Sequence, residues 1–200
     1  MINFLSAMVY EYPEIDIMKH KPRNAASDRL ISFKGVLKIY LQIGVFESVI
    51  AFFMYFYTMS IYGIDCYKLI GAYEKWDLEG EYAGADLITR KKALTVASTG
   101  FFASLVITQL INLITVRTTY QSLFRQRFRP RFIIFMLAEL IIVILYSYIP
   151  PFQSYLQSAN LNWYHFIIPL AMGLSIFIID EIKKLLFRKY PNSLIKHFIF

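Results

Sequence analysis

Long apolar blocks alternate with short polar connections along this chain. Four blocks stand out, at residues 39–64, 93–116, 132–149 and 163–187. A helix needs about 20 apolar residues to cross the hydrocarbon core of a bilayer. A buried helix of a soluble protein is the alternative for any one block, but four blocks in 200 residues leave too little polar chain to cover them. The pattern therefore predicts an all-α integral membrane protein with four transmembrane helices.

Composition supports this prediction. Hydrophobic residues make up 57% of the chain and charged residues 18%, whereas about a quarter of a soluble domain is charged. The net charge of +7 could indicate nucleic-acid binding, but the basic residues lie beside the apolar blocks, where they suit anionic lipid headgroups. A single cysteine, Cys66, excludes an internal disulfide framework. We therefore expect the lipid bilayer, and no nucleic acid, as a partner.

The distribution of Lys and Arg predicts the orientation of the spans, because short cytoplasmic loops carry an excess of these residues. Residues 150–162 carry no charge, and residues 65–92 carry five basic and six acidic residues. The three other connecting or terminal segments are basic. Four spans place those three segments on one side, so both termini are predicted to be cytoplasmic. Residues 1–38 are then a cytoplasmic loop segment, and residues 39–200 a four-helix membrane domain.

Polar side chains inside the spans are candidate functional residues, because they are costly at membrane depth unless they are satisfied. Gln109 and Asn112 are three residues apart in the second span, which places them on one helix face. Their oxygens suit a hard cation, but interhelical hydrogen bonding is the ordinary role of such residues. Glu47 and Glu139 are the only charges in the first and third spans. Each is either a cation or proton site or a paired carboxylate facing the bundle.

No catalytic or metal-binding pattern accompanies these residues. The three His and one Cys are scattered, with no metal-ligand pair at i, i+4. Motifs for nucleophile elbows, phosphate loops and dinucleotide binding are absent. An enzyme acting on lipid is therefore disfavoured, and no catalytic residue, metal or cofactor is predicted in this chain.

Pro169 is expected to break the fourth helix locally near its outer end.

An ordered set of short motifs resembles the C-terminal membrane region of P-type cation pumps, especially the sodium/potassium and proton/potassium group. Its N-terminal part is Tyr10-Glu11-x-x-Glu14-x-Asp16-Ile17-Met18-Lys19-x-x-Pro22-Arg23-Asn24, then Asp28-Arg29-Leu30. The later parts are Gln42-Ile43-Gly44, Phe101-Phe102-x-Ser104, Gln109, Asn112-Leu113, Arg117-Thr118, Ser122-Leu123-Phe124, Asp180-Glu181-Ile182-Lys183-Lys184-Leu185, Arg188 and Tyr190-Pro191. Each piece is weak, but together they cover nearly the whole chain in order.

The resemblance implies that the four spans correspond to membrane helices seven to ten of such a pump. Gln109 matches a residue near the third sodium site of that family. Asn112 matches a position where the animal sodium pump carries Asp, and Leu140, beside Glu139, falls where that pump has a second acidic residue. Both differences remove a negative charge, so the resemblance does not extend to a complete sodium-type third site. The N-terminal segment would contact the phosphorylation domain through Glu14, Asp16, Lys19, Arg23, Asp28 and Arg29.

The leading functional prediction is a support module of a P-type pump, which braces the transport helices and contributes peripheral cation ligands. The phosphorylation motif and nucleotide domain implied by the resemblance do not lie in these 200 residues, so the chain is expected to be a truncated part that is not catalytic alone. The parent pump would use ATP and Mg in the plasma membrane. The outer loop lacks a clear Ser-Tyr-Gly-Gln segment, with only Tyr82 to Asp86 nearby, so beta-subunit binding is not predicted.

An alternative is a stand-alone four-helix membrane protein that acts as an assembly partner, regulator or small channel. This alternative predicts stable insertion and oligomerisation without other pump domains. An in-frame extension upstream of Met1 that encodes the phosphorylation motif would favour the support module, whereas a stop codon just upstream would favour the stand-alone protein.

Overall fold

A computed structural model describes residues 12, 18, 33, 37, 40–72, 75–77, 80–118 and 122–189 of the chain. These residues form five α-helices, which we number in chain order. They are α1 (Val45–Ile61), α2 (Leu87–Val116), α3 (Pro130–Tyr148), α4 (Pro150–Leu156) and α5 (Tyr164–Lys189). A π-helical segment, Tyr40–Gly44, leads directly into α1, and two short 3-10 helices lie at Cys66–Leu69 and Leu123–Arg125. The described residues contain no β-strand, only an isolated bridge between Tyr82 and Ala85.

Four of these helices match the four predicted blocks. Three are long and apolar enough to cross a membrane, namely α2, α3 and residues Tyr164–Leu186 of α5. The helix α1 is shorter, with seventeen residues, but the five π-helical residues continue into it without a break. At about 1.5 Å of rise per residue, the continuous segment is long enough for a hydrocarbon core of about 30 Å. The all-α membrane fold is thus confirmed.

Proline positions mark the helix starts on either side of α3. Pro130 and Pro150 each occupy the first turn of a helix. A backbone N–H in this turn has no partner within the helix, so the lack of an N–H in proline breaks no helical hydrogen bond. The helix α4 ends at Gln157, which adopts the left-handed conformation with φ of 50°. The helix α4 lies in the uncharged connection at residues 150–162, where the apolar blocks predict no helix.

The expected break at Pro169 is wrong. The helix α5 continues through Pro169 without interruption from Tyr164 to Lys189. A proline removes the hydrogen bond to the carbonyl four residues earlier, which here belongs to His165 in the first turn of the helix. Because only one bond close to the helix start is lost, the remaining bonds maintain the helix on both sides.

The helix α2 forms the centre of the bundle. It packs against α1 and α5 and, less extensively, against α3. Small residues on α2 and α5 permit these close approaches. A Cβ added at Gly100 would lie 2.7 Å from His165 Cδ2, and one added at Gly173 would meet the side chains of Ile111 and Thr108. Much of α1, α3 and α5 remains exposed and apolar, as suits lipid or further helices.

The loop between α1 and α2 folds back on the bundle around Arg90, a fully buried residue in the first turn of α2. The Arg90 guanidinium donates hydrogen bonds to the carbonyls of Lys75, at 3.2 Å, and Gly80, at 2.9 Å. The loop also turns tightly at Gly84, where φ is +90° and a Cβ would lie 2.8 Å from the Gly63 carbonyl oxygen. On the loop surface, the hydrogen-bonded ion pair with Asp65 raises the pKa of Lys68.

Candidate functional site

Two of the four predicted cation ligands meet between helices. Glu47 lies in the first turn of α1, and Asn112 lies in the C-terminal half of α2. The Asn112 Nδ2 atom donates a hydrogen bond of 3.3 Å to Glu47 Oε1. The other end of the same amide, Asn112 Oδ1, is buried and has no hydrogen-bond partner among the residues that the structure describes. The pair therefore presents carboxylate and carbonyl oxygens at one contact between α1 and α2.

The other two predicted ligands are not brought into this contact. Gln109 is half-buried one turn before Asn112, and no hydrogen bond joins it to another described residue. Glu139 is half-buried on α3, and the part of the chain that the structure describes gives it no hydrogen bond or ion pair. The spacing of the four candidates along the sequence could not predict which of them would contact each other.

The threonines beside Asn112 hydrogen-bond to their own helix. Thr108 Oγ1 lies 2.9 Å from the Ser104 carbonyl oxygen and 3.0 Å from that of Leu105, and Thr115 Oγ1 donates to the Ile111 carbonyl at 2.9 Å. Such bonds satisfy a hydroxyl inside a helix without a partner from another element. The two hydroxyls thus have a local structural role, and their oxygens retain only acceptor capacity.

A second polar junction, which the sequence analysis did not single out, surrounds His165. This residue of α5 is fully buried, and its Nε2 atom lies 3.1 Å from Thr58 Oγ1 of α1. Its Nδ1 atom lies 3.3 Å from the Asn162 carbonyl oxygen, and its ring lies against the α2 backbone at Gly100. Three helices therefore meet at one imidazole. Thr58 and His165 are 107 residues apart, so no spacing rule could have paired them.

A third polar cluster closes the C-terminal end of α2. Lys184 of α5 has only 7% of its side chain exposed. Its Nζ atom donates to the Thr115 carbonyl at 2.8 Å and to Thr118 Oγ1 at 3.1 Å, and it pairs with Asp180 at 2.6 Å. The last carbonyls of a helix lack intrahelical partners and carry partial negative charge. The buried ammonium therefore caps α2 while Asp180 balances its charge.

Arg117 follows α2 and is also buried. Its Nη2 atom donates to the Arg127 carbonyl at 2.9 Å, and its guanidinium lies 3.9 Å from the centre of the Phe128 ring. This contact ties the end of α2 to the start of α3. The basic α2–α3 connection is therefore partly structural, although Arg125 and Arg127 in the same connection remain exposed.

The predicted interdomain residues, Glu14, Asp16, Lys19, Arg23, Asp28 and Arg29, lie outside the residues that the structure describes. Among those that it does describe, no group of three or more His, Cys, Asp or Glu residues could hold a metal ion. The Glu47–Asn112 pair, the His165 junction and the Lys184 cluster are three places in the described region where polar groups of different helices meet.

Comparison with known proteins identifies the family. The family model described as "Cation transporting ATPase, C-terminus" matches residues 4–186. The chain belongs to this family. The match includes α1, α2, α3, α5 up to residue 186, the connections between them and most of the N-terminal segment. The family domain is the C-terminal membrane part of P-type cation ATPases, and it does not include their catalytic domains.

Relatives with assigned names agree with this family membership. The chain is 34% identical over 197 residues to the sodium/potassium-transporting ATPase subunit alpha-4 of Rattus norvegicus. It is 32% identical over 195 residues to the alpha-2 subunit of Homo sapiens. Each match covers 94% of this chain but only 19% of the relative. The resemblance to sodium/potassium pumps is thus confirmed, and this cation-ATPase C-terminal chain spans about a fifth of the length of those relatives.

Proposed function

We propose that this chain is a support module of a P-type cation pump, in which its helices brace the transport helices. The family membership over residues 4–186 is the observation that carries this proposal. The packing supports it, because polar contacts join α1 to α2, α2 to α5 and α1 to α5. The outward faces of α1, α3 and α5 stay apolar and exposed, which leaves surface for other pump helices in a shared membrane.

The orientation belongs to the same proposal. Exposed basic residues in the α2–α3 connection include Arg125 and Arg127, whereas the connection from α3 through α4 to α5 carries no charge. The excess of Lys and Arg on cytoplasmic loops places the α2–α3 connection inside. The α1–α2 loop and α4 then lie outside, and both termini lie in the cytoplasm. The plasma membrane is the proposed location, by analogy with the pump family.

The Glu47–Asn112 pair is proposed to supply peripheral cation ligands within such a pump. A carboxylate at membrane depth requires a partner or a cation, and the single donor from Asn112 serves only one of its two oxygens. Asn112 Oδ1, which has no partner in the described part of the chain, adds a carbonyl oxygen beside that carboxylate. Oxygen ligands of these two kinds suit hard cations. The competing role is an interhelical hydrogen bond alone.

A chimeric pump tests both parts of the proposal. Residues 4–186 would replace the matching segment of the rat alpha-4 relative, and cation-stimulated ATP hydrolysis would be measured in membranes. Bracing predicts an active chimera. A chimera that inserts fully but shows no cation-stimulated hydrolysis would contradict it and favour a stand-alone membrane protein, which would then assemble without the remainder of the pump.

Within an active chimera, Glu47→Gln and Asn112→Ala test the ligand role. Each is expected to raise the cation concentration for half-maximal activity about five-fold, which corresponds to about 1 kcal/mol. The matched control is Glu81→Gln, which neutralises an exposed carboxylate of the α1–α2 loop and should leave this concentration unchanged. Unaltered cation dependence in both test variants would reduce the pair to a packing contact.

A further inference from the structure

An aromatic groove lies where the α1–α2 loop meets the bundle. It is a cavity of about 720 Å³ that is lined mainly by apolar side chains, a size typical of small-molecule sites, which hold about 300–1,000 Å³. The residues that carry the argument are Phe56 of α1, Ile70, Trp76 and Asp77 of the loop, and Leu94 of α2. Phe56, Ile70 and Leu94 are exposed, so the groove is open along its apolar side.

The groove continues into the apolar part of the bundle. Phe52 lies one turn before Phe56 on α1, and the two rings stack at 6.4 Å between centroids. Phe101 lies two turns after Leu94 on α2, and its ring meets Phe52 edge-on at 5.3 Å. Residues at these helical spacings lie on one face. An apolar track therefore leads from the loop toward membrane depth along the contact between α1 and α2.

Opposite charges lie side by side at the polar end of the groove. Asp77, which lines the groove, pairs with Lys91 of α2 at 3.8 Å. The two side chains are 78% and 61% exposed, so water screens their attraction and separating them is inexpensive. Nearby, the Trp76 indole Nε1 is buried, and no described residue accepts a hydrogen bond from it. The polar end of the groove thus has one anionic side chain in its lining and one cationic side chain paired with it, above an apolar track.

We propose that this groove binds a phospholipid with a zwitterionic headgroup from the leaflet on the side of the α1–α2 loop. Asp77 would face the ammonium of the headgroup, and Lys91 would face its phosphate. An acyl chain would follow Phe56 and Phe52 on one side and Leu94 and Phe101 on the other. A lipid matches the observations better than a water-soluble ligand, because the apolar track runs away from the charges and toward the membrane. This inference does not depend on the pump function.

The two tryptophans of the chain, Trp76 and Trp163, allow a direct binding test on the full chain in detergent. In the Trp163→Phe variant, Trp76 is the sole reporter inside the groove. Phosphatidylcholine brominated near the top of its acyl chains should quench this fluorescence with a saturable dependence on lipid. In Trp76→Phe, the matched control, Trp163 reports from outside the groove and should be quenched only in proportion to bulk lipid. Absence of saturation at Trp76 would overturn the proposal.

Competition with unbrominated lipids tests the headgroup assignment. Phosphatidylcholine should displace the probe at about five-fold lower concentration than phosphatidylglycerol, as expected for one exposed charge contact. In the Trp163→Phe background, Asp77→Asn should abolish this preference by strengthening phosphatidylglycerol binding, whereas Lys91→Met should weaken both lipids. Diacylglycerol, which lacks the headgroup, should respond to neither change. Equal competition by the two phospholipids in the parent, or an unchanged preference in Asp77→Asn, would contradict the zwitterionic lipid.

Discussion

Some polar residues in the described bundle have a hydrogen-bond partner from another helix. His165 illustrates this, because both ring nitrogens have oxygen neighbours although the side chain is fully buried. A neutral ring protonated at Nδ1 would donate to the Asn162 carbonyl. The Thr58 hydroxyl also lies 2.8 Å from the Met54 carbonyl oxygen, so its single proton serves either that carbonyl or His165 Nε2. The imidazole thereby joins α1 and α5 at a point where water is not available to replace a lost bond.

The first prediction concerns this bond. Thr58→Val and His165→Phe should each destabilise the chain, and a double-mutant cycle should give a coupling energy of about 1 kcal/mol, the scale found for polar contacts between membrane helices. Unfolding by sodium dodecyl sulfate, followed by circular dichroism, measures each variant. The control cycle pairs His165→Phe with Thr95→Val, whose hydroxyl donates to Lys91 of its own helix. Additive effects for Thr58 and His165 would show that the contact carries no stabilisation.

At the residue scale, the sequence predicts which polar residues are candidates for a role. It is less able to predict which of these residues contact each other. Glu47 and Asn112 were each identifiable, since an isolated charge or amide in an apolar block is costly. Their mutual hydrogen bond depends on the rotation of α1 against α2, which packing of many side chains determines. His165 lies near the end of a block, where a histidine could equally have reached the interface, so its burial could not be deduced from its position.

At the scale of helices, glycines set how closely α2 can approach its neighbours, and their substitution gives the second prediction. Gly100→Ala should cost about 2 kcal/mol of unfolding free energy, since its Cβ would meet the hydrogen-bonded His165 ring, which cannot easily move. Gly173→Ala should cost less, because the Ile111 side chain can change rotamer. Gly44→Ala serves as the control, because an added Cβ there would have no neighbouring atom of a described residue within 4 Å. A cost for Gly44→Ala that equals that for Gly100→Ala would contradict this explanation.

The third prediction concerns the end of α2. Lys184→Met should destabilise the chain by about 2 kcal/mol, because the last carbonyls lose a charged cap and Asp180 keeps an unbalanced charge. Adding Asp180→Asn should recover part of this loss. Lys183→Met changes the neighbouring lysine, which is not part of the cluster, and should have little effect in the same unfolding measurement. If adding Asp180→Asn lowered the stability of the Lys184→Met variant further, Asp180 would not act through Lys184.

The sequence predicts where the long helices lie more readily than it predicts their exact ends or the effect of a proline within them. The apolar blocks predicted α1, α2, α3 and α5 because a span must be long and uncharged. The helix α2 nevertheless starts at Leu87, before the predicted block, since its first turns contain Arg90 and exposed lysines that hydropathy excludes. The short helix α4 has neither the length nor the amphipathic period that marks a helix, and α5 tolerates Pro169 through its many remaining backbone bonds.

For the whole molecule, the proposed topology rests on the charge asymmetry and on the four long apolar helices among the described residues. The basic α2–α3 connection and the uncharged connection around α4 flank the same helix, α3, at its two ends. If α3 spans the bilayer, these connections must face opposite compartments. This consequence does not depend on the pump function, and a labelling experiment can test it.

The fourth prediction is that a membrane-impermeant maleimide added to intact cells labels one connection and not the other. In a Cys66→Ser background, Gln157→Cys should react from outside, whereas Arg125→Cys should react only after the membrane is permeabilised. Both positions are exposed in the structure, so burial cannot account for a difference between them. Glu81→Cys, in the α1–α2 loop, should behave like Gln157→Cys because α2 and α3 together return the chain to the same side. Labelling of Arg125→Cys in intact cells, with protection of Gln157→Cys, would reverse the orientation and show that the arginines do not hold their connection inside. Equal labelling of both would mean that α3 does not cross the membrane at all.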